Sequence, residues 1–272
     1  LSYSNKKYVP DNQSLIEGKF LEKLFKKTAS RREDFRLLRA NMFAIIRKLS
    51  LHIGDCFVKK GFIEDRDDIF LIDSLQKEKL LNIRIYAMIS NSRENLEYFL
   101  KSGTYKTDKL NVRSFKIYAD GELGSKGQAF KKSYNDLARR KGSFITSKDS
   151  IEALAYKLAA TPFQMNTYAI GDAANKIVLE AYKKALVLSD DPRWRLENAQ
   201  IIDTSDISLF NFKILPSIQP TYSTSDMYWA ETRLGKNRLL GAHSYKKLLQ
   251  QSGSITLGTD FPFEDLNPFK TF

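Results

Sequence analysis

The feature that most constrains the fold of this chain is a regular alternation of short apolar segments with longer segments of helical periodicity. Apolar side chains recur every three to four residues from Phe35 to Leu49 and from Ala173 to Leu188, as on one face of an amphipathic helix. Strands that alternate with helices form a parallel sheet covered by helices, so the pattern predicts an α/β fold. The seven predicted strands are Leu51–Val58, Ile83–Ile89, Val112–Ala119, Phe163–Ile170, Trp194–Gln200, Ile214–Pro220 and Ser254–Thr259.

Helix-end signals add detail to this pattern. Asp149 and Glu152 form a capping pair at the start of a helix that runs to Ala160. Gly253 follows the last helix as the residue that ends it in a left-handed conformation. The other predicted helices are Ile69–Leu81, Arg93–Leu100, Ser205–Phe212 and Leu239–Gln251.

Polar residues gather at the C-terminal ends of the predicted strands. These residues are Asp55, Asp120, Asp172, Asn198 and Asp260. In a (β/α)₈ barrel the C-terminal strand ends form the active face. A doubly wound sheet also collects polar groups at its strand ends, so the pattern leaves both folds open. The first strand is not followed by a glycine-rich dinucleotide fingerprint, which weakens the doubly wound alternative.

The composition indicates which binding partners and which cellular compartment to expect. The 272 residues carry a formal net charge of +12, but the basic residues form short scattered pairs such as Lys26-Lys27 and Lys183-Lys184. A groove for single-stranded nucleic acid needs a basic stripe with interleaved aromatic residues, so we expect no nucleic-acid partner. No apolar run reaches the ~18 residues of a membrane span, and no signal peptide is visible. The single cysteine, Cys56, excludes an internal disulfide, and a cytoplasmic location fits best.

Several strand-end segments together resemble the amidohydrolase superfamily, specifically its family 3. The segments are Phe115–Gly121, Asn166–Asp172, Arg195–Gln200, Gln219–Met227, Gly258–Glu264 and Asn267–Pro268. The resemblance implies a TIM-type (β/α)₈ metallo-hydrolase barrel with a small β-sandwich built from both chain ends. It also implies a metal-dependent hydrolase that acts on non-peptide carbon–nitrogen bonds, such as those of amides and formamides.

The resemblance implies roles for four strand-end residues. Lys116 occupies a metal-ligand position, where a lysine can be carboxylated, and Asp260 occupies the position of an aspartate that binds metal and takes a proton from water. Tyr168 and Asn198 stand where the family carries metal-binding imidazoles. The divalent metal is zinc-like by this resemblance. A neutral phenol is a poor zinc ligand, and an asparagine oxygen suits harder cations, so these two are degenerate ligand positions.

The resemblance also indicates what the chain lacks. The family's first barrel strand carries a His-x-His pair, and nothing from Leu1 to Lys48 resembles that strand. The chain holds two histidines, His52 and His243, and neither lies in a ligand-like motif, so we interpret both as structural or solvent-facing. We therefore expect residues 1–272 to form one partial barrel domain with strands two to eight, without the first strand and the β-sandwich.

These features predict an amidohydrolase-family protein whose hydrolysis is impaired or lost. The residues expected to contact a small amide-type substrate are Asp120, Asp226, Trp229 and Arg233. An acid/base pair of Asp120 and Asp260 that works without metal is one alternative, although Asp120-Gly121 more often forms a tight turn. The other alternative is a non-catalytic protein that binds small molecules or partners at the barrel mouth. The sequence indicates no substrate identity and no oligomeric state.

Overall fold

A curved sheet is the framework of the residues that the computed structural model describes, which are 68–189, 192–211, 213–261 and 263–272. Its strands are β1 (Ile85–Ser90), β2 (Tyr105–Lys106), β3 (Leu110–Tyr118), β4 (Gln164–Ala169), β5 (Trp194–Asn198), β6 (Ile214–Ile218) and β7 (Thr256–Leu257). Six strands lie parallel in the order β1-β3-β4-β5-β6-β7 and curl into half of a barrel. The short β2 runs antiparallel to β3.

Helices connect the strands and cover the sheet. They are α1 (Asp68–Lys77), α2 (Arg93–Ser102), α3 (Lys148–Ala159), α4 (Asp172–Ala185), α5 (Thr221–Asp226), α6 (Ala230–Leu239) and α7 (Tyr245–Ser252). Two 3₁₀ helices span Thr204–Leu209 and Pro268–Thr271. The connection from β6 to β7 is the richest, since it contains three of the helices.

The structure confirms the α/β fold with a barrel-type parallel sheet. Six of the seven predicted strands are present, and their ends differ from the predicted ones by a few residues. The predicted strand Leu51–Val58 and the predicted helix Phe35–Leu49 lie outside the described residues, as does His52. The prediction of one domain over residues 1–272 stays a prediction for the same reason.

The predicted cap of α3 is wrong. Ser147, and not Asp149, precedes the helix, with an extended backbone and a side chain that accepts a hydrogen bond from the Ser150 amide at 3.2 Å. A serine hydroxyl in this position satisfies one of the amides that the first turn leaves without a partner. Asp149 lies in the first turn, where its charge complements the helix dipole. At the other end of the region, the prediction for Gly253 is confirmed, with φ +77° after α7.

The core lies between the sheet and α3 and α4. Phe115, Met165 and Leu196 on adjacent strands are fully buried, because a parallel strand covered on both faces has little contact with water. Tyr182 of α4 is also buried, and its ring packs edge-on against Trp194 with the centroids 5.0 Å apart. Its hydroxyl donates to the carbonyl of Met165 at 2.9 Å, which satisfies the polar atom inside an apolar core.

Among the described residues, the helices are too short or too polar to cross a lipid bilayer.

Candidate functional site

The parallel sheet brings the predicted site residues to one edge. Tyr118 at the end of β3 pairs in register with Tyr168 of β4, and Ala169 pairs with Asn198 at the end of β5. Asp260 is the third residue after the end of β7, at a left-handed backbone position with φ +53°. Because neighbouring parallel strands end at the same edge, these side chains share the C-terminal face of the half-barrel.

Lys116 lies among aromatic rings. Its Nζ is 5.3 Å from the centroid of the Tyr118 ring and 5.6 Å from that of Tyr168, and the two rings are 5.4 Å apart. An ammonium group at such distances is attracted to the faces of the rings. Burial lowers the pKa of Lys116, while the charges of Glu197 and Asp260 act in the opposite direction. The lysine thus lies in the electrostatic field of both carboxylates.

Asp260 receives a hydrogen bond from the next helix. The Tyr222 hydroxyl of α5 donates to Asp260 Oδ2 at 2.8 Å. Burial raises the pKa of Asp260, and the Tyr222 hydrogen bond and the charge of Lys116 partly offset this effect. A carboxylate with a raised pKa is a stronger base than an exposed one, so Asp260 is suited to accept a proton.

Tyr168 and Asn198 are shielded from solvent in different ways. Burial raises the pKa of Tyr168 well above that of an ordinary phenol, and the charges of Asp120 and Glu122 raise it further. Its hydroxyl therefore stays protonated at neutral pH. Asn198 is buried at φ +71°, and Ala199 follows at φ +42°, so β5 ends in a backbone conformation that few residues adopt.

These donors do not fit the metal centre of the family. A zinc-like ion takes imidazole, thiolate and carboxylate ligands. A protonated phenol and a neutral amide stand at the two positions where the resemblance implies imidazoles, and Asp260 stands where it implies a carboxylate ligand. Within the part of the chain that the structure describes, no group of three or more histidine, cysteine, aspartate or glutamate residues could hold a metal ion.

Arg195 and Glu197 of β5 lie near Lys116, and neither was predicted as a site residue. Arg195 Nε donates to Glu197 Oε1 at 2.8 Å, and both side chains are largely shielded from solvent. The Arg195 guanidinium lies 4.7 Å from the centroid of the Tyr86 ring. The two residues are separated by one position on β5, and side chains at that spacing share a face of a strand, which is the signal that could have found them.

Asp120 has a structural position. Its side chain is fully buried, and its oxygens accept backbone hydrogen bonds from Ala129 at 2.9 Å, Ile170 at 2.9 Å and Gly171 at 2.8 Å. Burial raises the pKa of Asp120 to about 7, against the opposing effect of these three bonds. Its oxygens thus bind backbone amides on both sides of the strand ends, and a substrate or acid/base role for Asp120 stays a prediction.

The other three predicted substrate contacts tie loops together. Asp226 is buried and accepts a hydrogen bond from Gln200 Nε2 at 2.8 Å. The Arg233 guanidinium lies 4.7 Å from the centroid of the Trp229 ring, and its Nη1 donates to the carbonyls of Leu123 and Gly124. These contacts hold α5 and α6 against the loops after β3 and β5. A substrate role for Asp226, Trp229 and Arg233 stays a prediction.

His243 lies in the turn before α7 and not within a helix as predicted. Its backbone has φ +50°, and its Nδ1 is 2.8 Å from the Tyr245 hydroxyl. Burial lowers the pKa of His243 to about 4, so the imidazole is neutral at physiological pH. The structure does not bring His243 into contact with Lys116 or Asp260.

A half-barrel of parallel strands with its polar residues on the C-terminal face places the protein in the class of TIM-like barrels. The sequence model of the amidohydrolase family matches residues 12–272, and the chain belongs to this family. The resemblance to family 3 of the amidohydrolases is thereby confirmed.

The chain is similar to two curated proteins over part of their length. The protein LONG AFTER FAR-RED 3 of Arabidopsis thaliana is 25% identical over 241 residues, which cover 85% of this chain and 41% of that protein. The putative amidohydrolase YtcJ of Bacillus subtilis (strain 168) is 30% identical over 168 residues, 61% of this chain and 31% of that protein. The chain therefore matches less than half of the length of either relative.

The solved structures are uncharacterised metal-dependent hydrolases from two archaea, and they show the fold. The structure from Pyrococcus furiosus has a TM-score of 0.63 and 23% identity, with 74% of this chain and 45% of that chain covered. The structure from Pyrococcus horikoshii OT3 has a TM-score of 0.67 and 21% identity, with 99% and 54% covered.

Proposed function

We propose that this chain descends from a metal-dependent hydrolase of non-peptide carbon–nitrogen bonds and that its strand-end site is impaired in that reaction. The observation that carries the proposal is the environment of Lys116, whose ammonium lies against the rings of Tyr118 and Tyr168. One of those rings occupies a position where the family resemblance implies an imidazole ligand. The small-molecule ligand class that follows from the family is an amide or formamide.

The expected loss of metal affinity supports an impaired site. Removal of a partner that only supports a metal ligand lowers metal affinity or activity by ~10–100-fold. Replacement of two directly binding imidazoles by Tyr168 and Asn198 has a larger effect, since a protonated phenol and a neutral amide supply no comparable electron pair. This argument concerns residues inside the chain and holds whatever segments precede or follow it.

A direct test restores the two imidazoles. We expect the purified chain to contain substoichiometric zinc, and the double variant Tyr168→His/Asn198→His to bind zinc at least ~10-fold more tightly. Metal content by mass spectrometry and zinc titration by calorimetry provide the measurement. The matched control is Tyr98→His/Tyr156→His, which adds two histidines at exposed helix positions away from the strand ends. Stoichiometric zinc in the unchanged chain, with chelator-sensitive hydrolysis of an N-acyl amine, would contradict the proposal.

For any hydrolysis that the chain retains, the proposal names the residues that carry it out. The proposal gives Asp260 the role of proton acceptor and Lys116 a ligand position, in agreement with the raised pKa of Asp260 and its hydrogen bond from Tyr222. Asp260→Ala should then abolish the residual rate. An unchanged rate in this variant excludes Asp260 from the reaction.

The second candidate function is non-catalytic binding of a small molecule at the barrel mouth. Tyr118 is half exposed, and together with Tyr168 and Lys116 it forms an aromatic and cationic surface on the C-terminal face. This function predicts saturable binding of an N-acyl amine that a chelator does not weaken. Calorimetric titrations with and without EDTA measure it, and Tyr118→Ala should raise the dissociation constant. A cytoplasmic location and the absence of nucleic-acid and membrane partners remain predictions from the sequence.

A further inference from the structure

We propose that a second site, distinct from the strand-end cluster, binds a small organic anion that carries a phosphate group. The site is a cleft with a volume of about 660 Å³, bounded by residues 131–139, residues 201–204 and the second half of α6. We call it the cationic cleft. Ligand sites for small molecules have volumes of ~300–1,000 Å³, so the cleft has the size of a metabolite site.

The charge of the cleft selects an anion. Its lining includes five basic residues, Lys131, Lys132, Arg139, Lys236 and Arg238, and two acidic ones, Asp172 and Asp203. Both acidic residues are already engaged inside the protein. Basic side chains that converge on one concave surface raise the local concentration of anions and bind phosphate oxygens through charge-assisted hydrogen bonds.

Lys131 bridges the acidic residues on one wall of the cleft. Its Nζ lies 2.8 Å from Asp203 Oδ2 and 2.5 Å from Asp206 Oδ2, and its backbone amide donates to Asp172 Oδ1 at 2.8 Å. These contacts hold the pKa of Asp203 at about 2, with the Lys131 hydrogen bond as the largest cause. Burial raises the pKa of Asp172. Asp203 and Asp172 therefore already have hydrogen-bond partners, and among the described residues neither forms an ion pair with the other basic residues of the cleft.

Three basic residues of the cleft remain available to a ligand. Lys132, Arg139 and Lys236 are exposed, and within the described part of the chain none of them forms an ion pair. Their combined charge matches an anion with two or three negative charges. A phosphate ester has such a charge at neutral pH, whereas the carboxylate product of a simple amide carries one.

The walls of the cleft are fixed before any ligand binds. Arg238 lies 4.4 Å from the centroid of the Phe130 ring and donates to the carbonyls of Lys132 at 3.1 Å and Ser133 at 2.8 Å. Its position follows a kink of α6 at Gly235, where φ is +71° and the helix changes direction. A site whose scaffold is already ordered loses less conformational entropy when a ligand binds.

The amide and side chain of Asn135 hold the other side of the kink. The Asn135 backbone amide donates to the carbonyl of Arg233 at 2.8 Å, and its Nδ2 donates to the carbonyl of Thr232 at 3.0 Å. Arg139, at φ +68°, stands in a backbone conformation that non-glycine residues seldom adopt and that is often found at ligand-binding segments. The loop after β3 and the helix α6 thus form one preformed binding surface.

Calorimetric titration with inorganic pyrophosphate at constant ionic strength tests the proposal. We expect saturable binding, and we expect Lys132→Gln/Lys236→Gln to raise the dissociation constant by about tenfold or more. The matched control is Lys101→Gln/Lys157→Gln, in which two exposed lysines of α2 and α3 lose the same charge outside the cleft. The control should change the dissociation constant by less than about twofold, because distant charges are screened.

Several results would overturn the proposal. Equal weakening in both double variants assigns the binding to overall charge and not to the cleft. Absence of saturable pyrophosphate binding would show that the cleft is not an anion site. Tighter binding of citrate than of pyrophosphate would show that the cleft prefers carboxylates to phosphate groups. Displacement of pyrophosphate by a single-stranded oligonucleotide at lower concentration would make the surface a nucleic-acid site. None of these results depends on Tyr168 or Asn198, so the cleft and the strand-end proposal fail separately.

Discussion

At the scale of single residues, Asp120 shows how one side chain joins segments that are distant in sequence. It follows β3, yet two of its hydrogen bonds reach Ile170 and Gly171 after β4, and the third reaches Ala129. A carboxylate that accepts three backbone amides satisfies donors that the strand ends would otherwise leave without partners. The same residue type at a strand end is commonly catalytic, which is why the sequence alone predicts a substrate contact.

His243 provides a prediction for the pH dependence of stability. Burial lowers its pKa to about 4, whereas a histidine in an unfolded chain has a pKa near ~6.5. As the pH falls below ~6.5 the unfolded chain takes up a proton that the folded protein takes up only near pH ~4. Protonation therefore favours unfolding, and the free energy of unfolding decreases as the pH is lowered from ~6.5 to ~4.

The variant His243→Phe removes this titration and retains an aromatic ring beside Tyr245. Between pH 7 and pH 5 we expect the unchanged protein to lose roughly 2 kcal/mol more of its unfolding free energy than the variant does. Urea unfolding at the two pH values measures the difference. Tyr245→Phe is the control, since it removes the 2.8 Å hydrogen bond and keeps the imidazole. Parallel pH profiles for the unchanged protein and His243→Phe would show that the imidazole is not buried.

At the scale of elements, the connection from β6 to β7 depends on close backbone contacts. Gly241 follows α6, and a Cβ atom there would lie 1.8 Å from the carbonyl oxygen of Ile202. The two residues are also joined by a hydrogen bond from the Ile202 amide to the Gly241 carbonyl at 3.0 Å. The end of α6 and the loop after β5 therefore approach each other at a distance that only glycine permits.

Two glycine variants separate steric contact from backbone conformation. We expect Gly241→Ala to lower the unfolding free energy by about 3 kcal/mol or more, because backbone must move to admit the methyl group. Gly253→Ala should lower it by about 1 kcal/mol, because Gly253 has φ +77° but nothing within 4 Å of the added atom. Urea unfolding of both variants provides the comparison. Equal losses would mean that α6 can shift away from Ile202 without cost.

At the scale of the whole molecule, the parallel sheet is the part that the sequence predicts well. Its strands carry buried apolar residues, such as Phe115, Met165 and Leu196, and these can be recognised from the local sequence. The helices α5 and α6 were not predicted, since their sequences are polar and α6 contains Gly235. They are held by long-range bonds, such as those from Arg233 to Leu123 and Gly124, which no local pattern reveals.

The candidate site divides in the same way. The positions of Lys116, Tyr168, Asn198 and Asp260 follow from motifs at strand ends, and the structure places them on one face. The environment of each side chain depends on its neighbours across the sheet. The pairing of Tyr118 with Tyr168 determines the rings around Lys116, and register of this kind is a property of the folded sheet.

The bonds of Asp120 have a consequence for how such a protein changes over generations. The strand ends are joined by a carboxylate and three backbone amides, and backbone amides are present whatever the side chains are. Mutations at positions such as Tyr168 and Asn198 can therefore accumulate, or revert, while these three hydrogen bonds still hold the strand ends together. The fold can therefore be inherited without the reaction. A lineage that loses its original activity still keeps a strand-end surface on which a different activity can evolve.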